Sequence, residues 1–156
     1  MNTIITKAGK TIDLKDIYKV ESRIDEEVII FAEVDDCSII DSYFIGDSKG
    51  FDLVKNIPGE CEYKEYKNGQ LLYDRNCKNG KRHGNCKGWY EDGQLLYDHN
   101  YKDGNKHGNC KEWYDNGQLL IDWNYKDGNK HGNCKKWHSN GKLWYDYNYK
   151  DGKEVS

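Results

Sequence analysis

The twelve residues NYKDGNKHGNCK at 100–111 recur letter for letter at 124–135, 24 residues later. Extending that period aligns Gly69, Gly93, Gly117 and Gly141 in one column and Gly80, Gly104, Gly128 and Gly152 in another. From Cys61 onward the chain is four copies of one unit. A repeat of this length is a single supersecondary element that cannot bury its own apolar face and must stack on its neighbours. Such a chain offers an extended surface rather than a single pocket.

Strand and turn signals fall at fixed offsets within the unit. In the second copy, 86–90 reads as a short strand, Glu91-Asp92-Gly93-Gln94 as a turn, 95–101 as a second strand and 102–108 as a looser connection. Asn68-Gly69, Asp92-Gly93 and Asn116-Gly117 supply the positive-φ residues that tight hairpins require. Each repeat is therefore a β-hairpin, and four in series make a meander of about eight strands. The second strand alternates with period two. One face takes Leu95, Tyr97, His99 and Tyr101, then Leu119, Ile121, Trp123 and Tyr125, then Leu143, Tyr145, Tyr147 and Tyr149. The other takes Leu96, Asp98 and Asn100, then Leu120, Asp122 and Asn124, then Trp144, Asp146 and Asn148. Trp89, Trp113 and Trp137 form a further column on the first strands.

Residues 1–57 lack the period. Strands are expected at 4–5, 11–14, 17–24, 28–34, 38–45 and 51–54, with turns at Ala8-Gly9-Lys10 and Asp25-Glu26 and a helical turn near 14–17. Because a repeat array needs its first sheet edge covered, this segment reads as an N-terminal β capping module, with the hairpin repeats occupying 58–156. Charge divides the same way. Residues 1–60 hold 7 Lys/Arg against 13 Asp/Glu, whereas the remainder holds 17 against 14. Hydrophobic residues make up only 36% of the chain, enough for a thin core, and the apolar content is dominated by 13 Tyr and 5 Trp. These amphipathic rings suit a half-exposed sheet. The expected fold is all-β: a single twisted antiparallel sheet of tandem 24-residue hairpins with an N-terminal β module. No apolar run approaches a membrane span and no signal-peptide stretch opens the chain, so a soluble, cytoplasmic protein is expected.

The pattern NCKxWYxxGQLLxDxNYKDGxKHG resembles the MORN repeat in its longer variant form. Trp89-Tyr90, Gly93-Gln94-Leu95, Gly104 and Gly108 carry the resemblance, with their counterparts one period away. The last copy departs from it, since Lys153-Glu154-Val155-Ser156 replaces Lys-His-Gly-Asn. Bacterial proteins of this kind are often named as antitoxins, and other MORN proteins resemble scaffolds that bind proteins or phospholipids. The resemblance thus implies a binding role.

The side chains that might carry chemistry fail on spacing. Cys86, Cys110 and Cys134 share a column, and Cys61 nearly does. Equivalent residues of successive hairpins lie two strands apart, roughly 9.6 Å, beyond the ~7 Å limit of a disulfide and the reach of one zinc ion. Reduced structural thiols are expected, with Cys77 as a neighbour of Cys86 across a strand pair. His83, His107 and His131 fail the same metal test and read as loop residues. Neither a catalytic constellation nor a cofactor or metal site is expected. The ladder Asp74, Asp98, Asp122, Asp146 either meets a basic partner or pairs within the sheet with Lys87, Lys111 and Lys135.

The column Arg75, His99, Trp123, Tyr147 changes chemistry in every copy while the Asp and Asn beside it do not. Constant columns hold a stack and variable ones are free to specialise. Trp123, Tyr125, Tyr147 and Tyr149, with His99, Asp98, Asp122 and Asp146, are therefore the candidate partner-binding residues. The function expected is non-enzymatic binding of a macromolecule, with inhibition of a bacterial toxin, effector or defence nuclease as the result, as in an antitoxin or a phage anti-CRISPR protein. Single-stranded RNA or other nucleic acid on the aromatic face, and a structural scaffold, are the alternatives. The strand at 143–149 is expected to be an open edge that invites a second copy, giving a homodimer.

Overall fold

The computed structural model describes residues 3–5, 11–23, 28–34, 37–43 and 54–155. It forms two compact units, Met1–Lys81 and Arg82–Ser156. The division falls after the first hairpin, so that hairpin groups with the N-terminal module.

In the first unit β1 (Thr3–Ile5) pairs antiparallel with β2 (Thr11–Asp13). A 3-10 turn at Leu14–Asp16 follows, capped by the Asp13 carboxylate, which accepts from the Lys15 N–H at 3.2 Å. Next come β3 (Ile17–Arg23), β4 (Val28–Val34), β5 (Cys37–Tyr43), β6 (Glu60–Lys67) and β7 (Gln70–Lys78), arranged β7-β6-β3-β4-β5. Here the expected all-antiparallel pairing needs correction. β3 and β6 run parallel, Val20 opposite Tyr63 and Glu21 opposite Lys64, so the sheet is mixed. Parallel neighbours need a long crossover instead of a hairpin, and the chain between β3 and β6 provides one. The expected strand at 51–54 is also revised: the Ile57 N–H donates to the Val54 carbonyl at 3.1 Å, which closes a turn. Residues 51–53 and the expected turns at 8–10 and 25–26 lie outside the described residues.

The core of this unit gathers Ile12, Leu14, Ile17, Val20, Val54, Ile57, Cys61, Tyr63 and Cys77. Burying each large apolar side chain contributes about 1.5–3 kcal/mol. Tyr63 is wholly buried, and its hydroxyl donates to Glu65 at 2.6 Å, so its polar end is satisfied.

The second unit is a plain antiparallel meander of β8 (Lys81–Trp89), β9 (Leu95–Lys102), β10 (Asn105–Trp113), β11 (Leu119–Lys126), β12 (Asn129–Trp137), β13 (Leu143–Lys150) and β14 (Lys153–Val155) in sequence order. Two turn types alternate. At Asp92-Gly93 the Gly93 N–H donates to the Tyr90 carbonyl at 3.0 Å and the Tyr90 N–H to the Gln94 carbonyl at 2.8 Å, with only the glycine at positive φ. The stretch expected to be a looser connection holds the tighter turn. Asp103 and Gly104 both take positive φ, 50° and 89°, in the two-residue geometry that matches strand twist, and β10 begins at once. Asp127-Gly128 and Asp151-Gly152 repeat it.

Each hairpin of this unit carries one irregularity at a fixed position, and the β9–β10 and β11–β12 pairings carry a second. Gly88 pairs with Tyr97 but Trp89 pairs with Leu95, which leaves Leu96 as an extra, bulged residue; Leu120 and Trp144 occupy the same place. Between hairpins, Lys106 pairs with Tyr101 and Cys110 with His99, so the strand bulges around Gly108. The strand expected to be an open edge is partly covered. β14 pairs with its last three residues, Asn148 with Val155, Tyr149 with Glu154 and Lys150 with Lys153.

Candidate binding surface

Directly opposed residues on neighbouring strands share a face. Register therefore sorts the side chains of the second unit onto two faces of different character. On one face Cys86 and Cys110 both oppose His99, Cys110 and Cys134 both oppose Trp123, and Cys134 opposes Tyr147. The invariant cysteines thus alternate with the variable column in a single row across the strands. Each cysteine is wholly buried, Cys110 between His99 and Trp123 and Cys134 between Trp123 and Tyr147, and burial pushes the Cys110 and Cys134 thiols up. Cys61, Cys77, Cys86, Cys110 and Cys134 are buried free thiols.

The opposite face is balanced internally. Lys87 lies 3.6 Å from Asp98, Lys111 3.4 Å from Asp122 and Lys135 3.1 Å from Asp146. Asn85, Asn109 and Asn133 donate to the same carboxylates. The hydrogen bond from Asn133, then Lys135, holds the Asp146 carboxyl below its ordinary range. Asp98, Asp122 and Asp146 therefore tie adjacent strands together.

The bulge explains the other constant columns. Gly108 and Gly132 sit at φ of 77° and 85°, in the left-handed region. The pairing lost there is replaced by side chains: Asn100 donates through Nδ2 to the Asn109 carbonyl and Asn124 to the Asn133 carbonyl, both at 2.9 Å. Cys110 and Cys134 point their thiols at the Asn100 and Asn124 carbonyls. The histidine column has a comparable duty. His83, His107 and His131 each place Nδ1 beside the carboxylate and backbone N–H of the aspartate in the next tight turn, Asp103, Asp127 or Asp151.

The variable column does not behave as one surface. His99 is buried, stacked on Tyr97 with centroids 4.7 Å apart, and its Nε2 lies 2.9 Å from Glu112 Oε1. That bond outweighs burial and, with Lys106 at 3.5 Å, holds the Glu112 carboxyl below its ordinary range. Trp123 is covered by the Lys130 ammonium 3.6 Å from its ring, and Tyr125 is half-buried, which raises its hydroxyl well above the ordinary range. Tyr149 is also half-buried. Tyr147 is 46% exposed and stacks on Tyr145 with centroids 5.2 Å apart.

Two further residues join Tyr147 that sequence reasoning did not select. Leu143 and Trp144 are 47% and 56% exposed. Trp144 stacks on His138 at 4.9 Å, with the Lys136 ammonium 4.4 Å from its ring. A signal for it exists in the chain, because the bulged position holds Leu96 and Leu120 in the earlier copies and tryptophan only here. Among the described residues the exposed large apolar side chains are Leu143, Trp144, Tyr147 and Val155, all from the last hairpin. No group of three or more His, Cys, Asp or Glu among the described residues is placed to hold a metal ion, and no described helix is long and apolar enough to cross a membrane.

Residues 82–103, 106–127 and 130–151 each match the MORN repeat variant, one match per hairpin of the second unit. No curated protein matches the chain.

Proposed function

We propose, for a chain that carries three tandem repeats of the MORN variant, that the protein acts by binding a partner protein through the aromatic patch of its last hairpin. Repeats of this kind are generally binding modules. The observation that carries the reading is the placement of Leu143, Trp144 and Tyr147 in the open on one strand of the last hairpin. The equivalent Leu119, Leu120 and Trp123 of the preceding hairpin are half-buried, and His99, one hairpin earlier in the Tyr147 column, is buried. Exposed aromatic clusters of this sort are where interfaces concentrate their energy. The partner in this reading is a bacterial toxin, effector or defence nuclease, inhibited because the sheet covers its working surface. The resemblance to bacterial antitoxin-like repeat proteins supports that finer assignment.

The test is affinity capture from a bacterial lysate with the intact chain, compared with the Trp144→Ala/Tyr147→Ala variant. The expected result is a protein retained by the first and lost from the second, with the purified catch losing its own activity when the chain is added back. Retention of the same proteins by both would overturn the patch assignment; a catch that keeps its activity would overturn inhibition.

A further inference from the structure

One row of the second unit alternates cation and tyrosine across six strands: Arg82, Tyr101, Lys106, Tyr125, Lys130 and Tyr149. Lys106 opposes Tyr101 and Lys130 opposes Tyr125 in register, which puts them on the same face. Each cation is held against a ring. Arg82 donates to the Tyr101 hydroxyl at 3.1 Å and lies 5.3 Å from its ring centre; Lys106 lies 5.3 Å from Tyr125, and Lys130 5.0 Å from Tyr149. We infer that this row is a docking strip for an acidic helix of the partner protein.

Charge complementarity selects the chemistry. On the opposite face Lys87, Lys111 and Lys135 are matched one to one by Asp98, Asp122 and Asp146. In the row, Lys106 meets Glu112, while Arg82 and Lys130 meet rings and, among the described residues, form no ion pair. An incoming carboxylate therefore breaks no internal pair at either end of the row. Arg82, Lys106 and Lys130 stand on alternate strands, so their spacing is about 9.6 Å. A helix rising ~1.5 Å per residue repeats a side chain every seventh residue at about 10.5 Å, close to that pitch. Single-stranded nucleic acid fits less well, because base stacking needs open ring faces and these rings are already covered by the cations. The inference rests on the partner being a protein, and it adds which chemistry that protein presents.

The test uses a synthetic helical peptide with glutamate at every seventh position, a matched peptide with glutamine there, and oligouridylate, each titrated against the intact chain at low and moderate salt. The glutamate peptide should bind, weaken as salt rises, and lose about tenfold in affinity on Lys130→Met, which removes the ammonium over Trp123 and keeps an unbranched apolar side chain of similar length. Lys135→Met on the opposite face should leave the affinity unchanged. Should Lys130→Met fail to fold, the glutamate-against-glutamine comparison and Arg82→Met read the same claim. Equal binding of both peptides, equal loss at Lys135→Met, or binding of oligouridylate in preference to the glutamate peptide would each overturn it. Absent peptide binding alongside protein capture that still depends on Trp144 would sink the acidic strip and leave the aromatic patch standing.

Discussion

Cys61 on β6 and Cys77 on β7 stand directly opposite one another in an antiparallel pair, both buried. Directly opposed residues have Cα atoms about 4.5–5.5 Å apart, inside the range a disulfide spans. Cys86, Cys110 and Cys134 are kept apart by an intervening strand. A small disulfide oxidant should therefore join Cys61 to Cys77, with two hydrogens lost in forming that bridge. Peptide mapping checks it, and a bridge among Cys86, Cys110 and Cys134 would contradict the register.

Alkaline stability should depend on the same site. Burial, with Cys77 adding, pushes the Cys61 thiol up to about 12. In the unfolded chain a thiol ionises near about 8.5. The native state thus keeps a proton that the unfolded state gives up. Stability is full below the unfolded value and is lost as pH rises through about 12. Cys61→Ala should be the less stable protein at neutral pH, with the deficit shrinking between pH ~9 and ~11. Melting curves across that window test this, and a deficit that widens with pH would be the wrong sign.

The inter-hairpin bulge should be sensitive at small cost in atoms. Gly132→Ala forces a side chain into a left-handed conformation, at about 1–2 kcal/mol. Asn124→Ala removes the donor to the Asn133 carbonyl and should cost about 1–3 kcal/mol. Denaturant titration of each variant measures these losses. Asn124→Ala melting like the parent would mean that the bulged strand does not need its bridge.

Much of this organisation is legible in the chain, and the exceptions have physical reasons. The period, the hairpins, the two faces and the pairing of Asp98, Asp122 and Asp146 with Lys87, Lys111 and Lys135 follow from alternation and column arithmetic. The bulges at Leu96 and Gly108 do not, because strict alternation assumes one residue against one. Without the second bulge, 102–108 reads as a loose connection, whereas Asp103-Gly104 closes the turn alone. The parallel β3–β6 pairing joins segments far apart in sequence and leaves no local mark. At the surface, the variable column contains the exposed Tyr147, but equal spacing conceals unequal burial: His99 is locked against Glu112 and Trp123 lies under Lys130. Simple alternation puts Trp144 opposite the aromatic stripe, and the bulge breaks that alternation.

The claim that the last hairpin is the binding surface is tested most directly by the affinity of the captured partner for single-site variants, set beside their melting temperatures. Trp144→Ala should weaken binding by about 2 kcal/mol or more, roughly thirtyfold, because a half-exposed ring becomes buried only in the complex. Its melting temperature should stay near the parent's, since 56% of Trp144 is already in water. Unchanged affinity for Trp144→Ala and Tyr147→Ala in folded protein would contradict the account.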